Sequence, residues 1–262
     1  MKKKSIAQSK KKKKARLKEV QFERLRPSQF EAAARAFPVV YVPFGLIEWH
    51  GRHLPLGTDA LKAHAILVRC AQQYGGIVYP PLYFPSAAWN NGKLKPGDLR
   101  DCVPMVSGLF QRLKLAGFRV IIGVSGHNIK EQIQMVNEAL EPVTADGTVA
   151  GGGFWEFNLC EGPDANSDHA AKWETSDMLH SYPDLVDLKA LGKGPLAPNM
   201  KAPDGIGGLD PRVSASAKIG KRKMELCADA IGRRAQKFLR SLPAGERGFR
   251  LEAVSPEYWW QV

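Results

Sequence analysis

The apolar run Val39-Val40-Tyr41-Val42-Pro43-Phe44-Gly45-Leu46-Ile47 passes without a break into Glu48-Trp49-His50-Gly51-Arg52-His53-Leu54-Pro55-Leu56-Gly57-Thr58-Asp59. The β-branched and aromatic residues of the first part suit a strand buried in a sheet. Polar residues at the carboxyl end of such a strand stand where open α/β sheets hold their ligands. The second part carries Glu48, His50, His53 and Asp59, all potential metal ligands or proton carriers. If the extended conformation continues past Ile47, Glu48 and His50 leave the same face, because side chains alternate along a strand. The Gly and Pro that follow bend the chain and can return Asp59 toward that pair as it opens the next helix. Carboxylates and an imidazole gathered in this way are what a divalent metal site needs.

The flanking sequence alternates strands with helices. Upstream, a short helical stretch from Phe30 to Phe37 is stopped by Pro38. Downstream, Ala60, Leu61, Ala63, Ile66, Leu67 and Cys70 have helical spacing that Gly75-Gly76 ends. Ile77 to Tyr79 reads as a second strand closed by Pro80-Pro81, and Ala88 to Asp98 as a loop placed to contact substrate. Residues 101–116 form a helix with Val103, Val106, Leu109, Phe110 and Leu113 on its apolar face. The strand Phe118–Val124 delivers Ser125, Gly126, His127 and Asn128 to the same sheet edge as the first motif, ahead of a helix through Leu140. After a Gly-rich bend at residues 151–153, Phe154–Leu159 reads as a strand. Asp168 then caps a helix running to about His180, and a last helix spans about Lys218 to Leu239. This pattern predicts a three-layer α/β/α sandwich with a mostly parallel central sheet.

With 262 residues and 44% hydrophobic content, the chain can bury one substantial core. The formal net charge of +12 is unevenly placed: ten Lys and Arg and no acidic residue lie in positions 1–18, leaving about +2 for the remainder. Composition therefore divides the chain into a Lys-rich tail, residues 1–28, and a single α/β domain, residues 29–262. The tail is an electrostatic handle for nucleic acid or an anionic membrane, or else a solvated extension; the second reading is preferred because no aromatic residue interleaves with the lysines. It lacks the apolar segment of a signal peptide, and no stretch reaches the roughly 18 apolar residues of a membrane span. Cys70, Cys102, Cys160 and Cys227 form no C-x-x-C pair and read as free thiols in a reducing compartment. A cytoplasmic location is expected.

Three segments carry a resemblance to the creatininase (creatinine amidohydrolase) family. The family's Glu-x-His-Gly-x-His-Leu-Pro signature, with an Asp following, is matched by Glu48 to Pro55 and Asp59. Its Gly-His-x-x-Asn segment is matched in part by Gly126-His127-Asn128, and its His-Ala-x-x-x-Glu-Thr-Ser segment by His169 to Ser176. Asp210-Pro211-Arg212 with Ala215-Ser216 is similar to a later family turn. The resemblance implies a two-metal amidohydrolase, commonly a homohexamer, acting on a small-molecule amide. By the same resemblance Glu48, Asp59 and His127 hold one ion and His50 and Asp59 the other, with Asp59 as the bridge; two divalent ions per chain, Zn²⁺ or Mn²⁺, are expected. Creatininase takes its remaining carboxylate from two positions after the counterpart of His127, where this chain has Ile129. Glu174 is the proposed substitute.

His169, with Asp168 beside it, resembles the family's proton-donating pair. At about 100° per helical residue, His169 and Glu174 would diverge by about 140°, so both face one site only if the chain at His169 is not yet helical. Trp155 and Trp173 are candidates for the substrate pocket, with core packing the preferred alternative. His53 can be held by a backbone hydrogen bond in the turn, and His64 and His180 read as ordinary helix residues. The expected reaction is hydrolysis of a carbon–nitrogen bond in a small amide, cyclic amide or formamide. The Asn90-Asn91-Gly92-Lys93 loop departs from the family's His-containing loop, which leaves the substrate open. The alternatives are a peptidase acting on a peptide-derived precursor, and a non-catalytic metal-binding protein that uses its basic tail to bind nucleic acid.

Overall fold

The computed structural model describes residues 18–85, 99–197, 200 and 204–251. In chain order its helices and strands are α1 (Pro27–Ala36), β1 (Val39–Ile47), α2 (Thr58–Tyr74), β2 (Ile77–Val78), β3 (Leu82–Pro85), α3 (Val103–Leu115), β4 (Val120–Ser125), α4 (Lys130–Thr144), β5 (Ala150–Trp155), α5 (Lys172–Ser181), α6 (Pro211–Ser214) and α7 (Ala217–Ser241). All pairings among these strands are parallel, in the order β2-β1-β4-β5, with β3 also paired to β1. Side chains alternate across β1. Val40, Val42, Phe44 and Leu46 join one core with Val106 and Phe110 of α3 and Met135 and Val136 of α4. Val39 and Tyr41 join the other with Ile66 and Leu67 of α2 and Cys227 and Ile231 of α7. The sheet is thus covered on both faces, which explains why β1 and β4 are apolar at nearly every position rather than at every second one. This is the three-layer α/β/α sandwich that the alternation of elements predicts.

A proline inside a central strand removes a ladder donor and is normally excluded. Here β2 pairs with β1 at Val40 and Tyr41, and β3 only from Phe44 onward. Tyr41 O accepts from Tyr79 N on that edge, so alternation points the missing N–H of Pro43 toward the same edge, into the interval between β2 and β3.

Several boundaries differ from the sequence reading. Residues 20–28 belong to the folded body rather than to the tail: Val20 is buried, Gln21 bridges Val78, and Phe22 stacks on Phe30 with ring centroids 5.0 Å apart. A few apolar side chains among the charges suffice to dock this segment. Helix α1 starts at Pro27, whose absent N–H costs nothing in a first turn. Strand β3 goes unrecognised in the sequence because it is short and follows a Pro-Pro pair. Strand β5 spans 150–155, so Gly151-Gly152-Gly153 lies within the strand instead of forming a bend. The reason is close approach: a Cβ at Gly151 would lie 2.2 Å from Ile121 O, and one at Gly153 2.8 Å from Val136 Cγ1. The four cysteines are free thiols, and among the described residues no helix is long and apolar enough to cross a membrane. The Lys-rich segment 1–17, the Ala88–Asp98 loop and the aromatic C-terminus lie outside the described residues.

Candidate metal centre

The centre forms where the carboxyl ends of β1 and β4 meet the start of α2. Glu48 N donates to Leu56 O at 3.0 Å, closing the loop that returns the chain to α2, and Gly51 takes the left-handed φ of 67° that this loop requires. Asp59 lies in the first turn of α2, fully buried, and accepts a hydrogen bond from Leu46 N at 3.3 Å. Two glycines let the helix come this close. A Cβ at Gly45 would be 2.2 Å from Ala60 N, and one at Gly126 would be 2.0 Å from Asp59 O. From β4, His127 arrives in a turn fixed by its own N–H donating to Ser125 Oγ at 3.0 Å.

The third contribution comes from the segment before α5. His169 pairs with Gly207 in an antiparallel bridge, Ala170 has a φ of 51°, and the helix begins only at Lys172. The chain at His169 is therefore not helical, and His169 and Glu174 both reach the centre. Both oxygens of Asp168 are occupied by the helix start, accepting from Trp173 N at 2.9 Å and Glu174 N at 3.2 Å. Asp168 thus caps α5 from outside it, and among the described residues it forms no ion pair with His169. His169 instead places Nε2 2.9 Å from Trp49 O and Nδ1 3.9 Å from Glu48 Oε1.

Five of the candidate ligands converge in this way. His50 Nε2 is 3.2 Å from Asp59 Oδ1 and 3.4 Å from Glu174 Oε2, and His127 Nδ1 is 3.0 Å from Glu48 Oε1 and 3.2 Å from Asp59 Oδ2. They fall into the triads Glu48/Asp59/His127 and His50/Asp59/Glu174, each with its donor atoms within 4.8 Å of one another. Asp59 belongs to both and offers one oxygen to each side. Glu48, His50 and His169 also meet this criterion. Glu48 Oε1 is buried and, despite its nearness to His127, lacks a hydrogen bond of proper geometry. Such a convergence of carboxylate and imidazole ligand atoms is an arrangement a divalent cation can complete. Ile129 contributes only its carbonyl, which accepts from Trp155 Nε1 at 3.3 Å.

Electrostatics follow from this crowding. Burial disfavours the charged forms, but the carboxylates outweigh it for the imidazoles: Asp59, Glu174 and Glu48 lift His50 to about 9, and Asp59 and Glu48 lift His127 to about 10. Burial also opposes the charge on Asp59, yet His50 and His127 hold its carboxyl well below the usual range. For Glu174, Lys62 and then His50 overcome burial and bring it to about 2. Asp59 and Glu174 are thus pushed toward the ionised form, and His50 and His127 toward the protonated one.

The remaining candidates separate from the centre. His53 Nε2 lies 2.9 Å from Thr175 Oγ1. His64 Nδ1 is 3.3 Å from Tyr182 Oη, and His180 is in the last turn of α5. A cleft of about 440 Å³ opens onto the centre, lined among the described residues by Asn128, Ile129, Phe157, Ser167, His169 and Glu174, among others. Neither Trp155 nor Trp173 is among those lining residues. Trp155 stacks on Phe157, and Trp173 is buried beneath the Lys172 ammonium. The sequence reading also missed Lys62, Glu156, Asp177 and Lys223, charged residues buried behind Glu174. The available signal was helical spacing, since Lys62 lies one turn from Asp59 and Lys223 one turn from Cys227.

A family model described as creatinine amidohydrolase matches residues 23–234. The chain belongs to the creatininase family. Membership makes it a hydrolase of carbon–nitrogen bonds. Among its relatives, the mycofactocin precursor peptide peptidase of Mycolicibacterium smegmatis is 31% identical over 220 residues, covering 75% of this chain and 85% of that protein. The creatinine amidohydrolase of Pseudomonas putida is 25% identical over 234 residues, covering 74% and 86%. Among solved structures, a creatininase superposes with a TM-score of 0.68 at 22% identity, covering 84% of this chain and 98% of that one. Other creatininase structures include a mutant of Zn–Zn type, a Mn form and a mutant complexed with creatine.

Proposed function

We propose that this creatininase-family protein is a two-metal amidohydrolase that cleaves a carbon–nitrogen bond of a small amide, cyclic amide or formamide. The observation that carries this reading is the pair of triads sharing Asp59. Glu48, Asp59 and His127 would hold one divalent ion, and His50, Asp59 and Glu174 the other. Zn²⁺ and Mn²⁺ suit such nitrogen and oxygen ligands. When bound, the ions would lower the pKa of water toward neutrality and polarise the scissile carbonyl.

The protein's own groups supply the rest. His169 donates its Nε2 proton to Trp49 O, which leaves Nδ1 turned toward Glu48. In that orientation Nδ1 can take a proton from the attacking water and pass it on to the departing nitrogen. Asp168 assists indirectly, because its two bonds to the start of α5 keep His169 and Glu174 in their relative places. Phe157 and Ile129 give the cleft an apolar wall, while Asn128 and Ser167 offer polar groups to an amide.

Peptide cleavage is the second reading, favoured by the 31% identity to a precursor-peptide peptidase against 25% to a creatinine amidohydrolase. A panel of small cyclic amides, formamides and short peptides, assayed with Zn²⁺- and Mn²⁺-loaded protein, separates the two. Metal content per chain, measured for wild type beside Asp59→Asn, tests the centre itself. About two ions falling sharply in the variant are expected; one or none in the wild type would refute the dinuclear reading. The homohexamer implied by family resemblance belongs to the same proposal and is checked by light scattering.

A further inference from the structure

Behind Glu174 runs a chain of buried charges that the proposed chemistry does not use. Lys62 of α2 bonds through Nζ to Glu174 Oε1 and lies 3.2 Å from Glu156 Oε1. Glu156 Oε1 is also 3.6 Å from Lys223 Nζ of α7, and Lys223 is 2.7 Å from Asp177 Oδ2 of α5. Each of these five residues is at most 2% exposed. Burying so many charges is a poor route to stability, because desolvation offsets most of the attraction. Both oxygens of Glu156, moreover, lack a hydrogen bond of proper geometry. The arrangement therefore calls for another explanation, and the division of Glu174 supplies it.

The two oxygens of Glu174 face different partners. Oε1 is taken by Lys62, whereas Oε2 accepts from Ala170 N at 2.7 Å and lies 3.4 Å from His50 Nε2. Only Oε2 faces the second triad. Lys62 sits one helical turn after Asp59, so the same turns of α2 carry the bridging carboxylate and the cation that holds its neighbour.

We infer that Lys62 is the positioning residue of the second metal site: it withdraws Oε1 so that Glu174 offers a single oxygen, Oε2, and Glu156 holds Lys62 in that role. The inference rests on the two-ion reading above. It explains how a carboxylate from α5 serves where Ile129 leaves the usual position empty of one. A carboxylate reaching in from another element needs its orientation fixed, and outer-shell partners of this kind typically govern metal affinity by 10–100-fold. Glu156, poor as a directional acceptor, acts as a fixed negative charge between two lysines.

The test compares Co²⁺ binding by calorimetry, with the Co²⁺ absorption spectrum as a second readout, in wild type, Glu156→Gln and the double variant Lys62→Met/Glu156→Gln. The double variant removes one positive and one negative charge, so the network's net charge is kept. Wild type should bind two ions, and Glu156→Gln should bind both but the second more weakly than wild type and more tightly than the double variant. The double variant should keep the first ion at unchanged affinity and lose the second by 10-fold or more, with loss of the spectral contribution of that ion. Lys62→Gln/Glu156→Gln returns a donor to Glu174 and should recover part of the second-site affinity; it also makes the test if the Met variant does not fold. Two ions bound by either double variant as tightly as by wild type would overturn the role of Lys62 while leaving the dinuclear reading intact. A wild type that binds fewer than two ions would instead defeat the reading on which the inference stands.

Discussion

His53 and His169 are two histidines in neighbouring environments with opposite tasks. Burial, with the His50 charge nearby, pushes His53 down to about 4. Its Nδ1 is buried without a partner, so a second proton there would have no acceptor. A folded pKa below the ordinary 6.5 means that neutral His53 contributes stability fully above pH 6.5, and that this is lost as pH falls toward 4. At pH 5 the loss is about 2 kcal/mol. In metal-free protein, chemical denaturation at pH 7 and pH 5 should show His53→Gln losing about that much less than wild type; equal losses would remove His53 as the cause. His169 has its Nε2 anchored and its Nδ1 free for the centre. His169→Gln should lower kcat by about 10²–10⁴-fold, the usual contribution of a positioned proton donor, with two ions still bound. If an ion is lost instead, His169 is a ligand in the Glu48/His50/His169 grouping.

At the scale of elements, the centre depends on how closely α2 sits on the ends of β1 and β4. Gly126 has no room for a methyl group, since the nearest atom is the backbone carbonyl of Asp59 and cannot rotate away. Gly126→Ala should cost about 1–3 kcal/mol through overpacking and displace Asp59 from both triads, which metal analysis would register as lost ions. Gly108, within α3, has nothing within 4 Å of its Cβ position. Gly108→Ala should therefore stabilise by about 0.4–1 kcal/mol, since alanine leaves the unfolded chain less freedom. Denaturation of both variants checks the contrast in sign. The strands that carry the site were legible for a related reason: β1 and β4 are buried on both faces and so read as unbroken apolar runs. Strand β5 was not, because its glycines are there for close packing, Gly151 and Gly153 against β4 and α4 and Gly152 against Phe154 and Phe238 of α7, and glycine in sequence signals a turn. The start of α5 was missed by three residues because Asp168 caps from a distance, across the bridge formed by His169. That displacement is also what lets His169 and Glu174 share a site, which helical geometry alone forbids.

For the whole molecule, the metal centre joins segments that are far apart in the chain. Glu48 and His50 follow β1, Asp59 opens α2, His127 follows β4 and Glu174 lies in α5. Their motifs could be read because each combines ligand residue types with a strand end or helix start, places where side chains meet whatever the loop lengths between them. The buried charges behind them left only the weak signal of helical spacing, since Lys62 and Lys223 stand in amphipathic helices where a lysine ordinarily faces water, and their partners on α5 and after β5 show otherwise. This distribution has a thermodynamic consequence. An ion held by residues from three places in the fold would bind the folded chain and find no assembled site in the unfolded one, so it would stabilise the fold by mass action. For one site at a free metal concentration 100 times Kd, the gain is about 2.7 kcal/mol, which for a chain of this size corresponds to a rise in Tm of roughly 5–10 °C. Adding Zn²⁺ or Mn²⁺ to chelator-treated protein should produce this rise, and removing the metal again should reverse it. Asp59→Asn should gain far less, because both triads lose their shared carboxylate. A Tm that metal does not move in the wild type would mean that the convergence of these segments is held by hydrogen bonds and ion pairs alone.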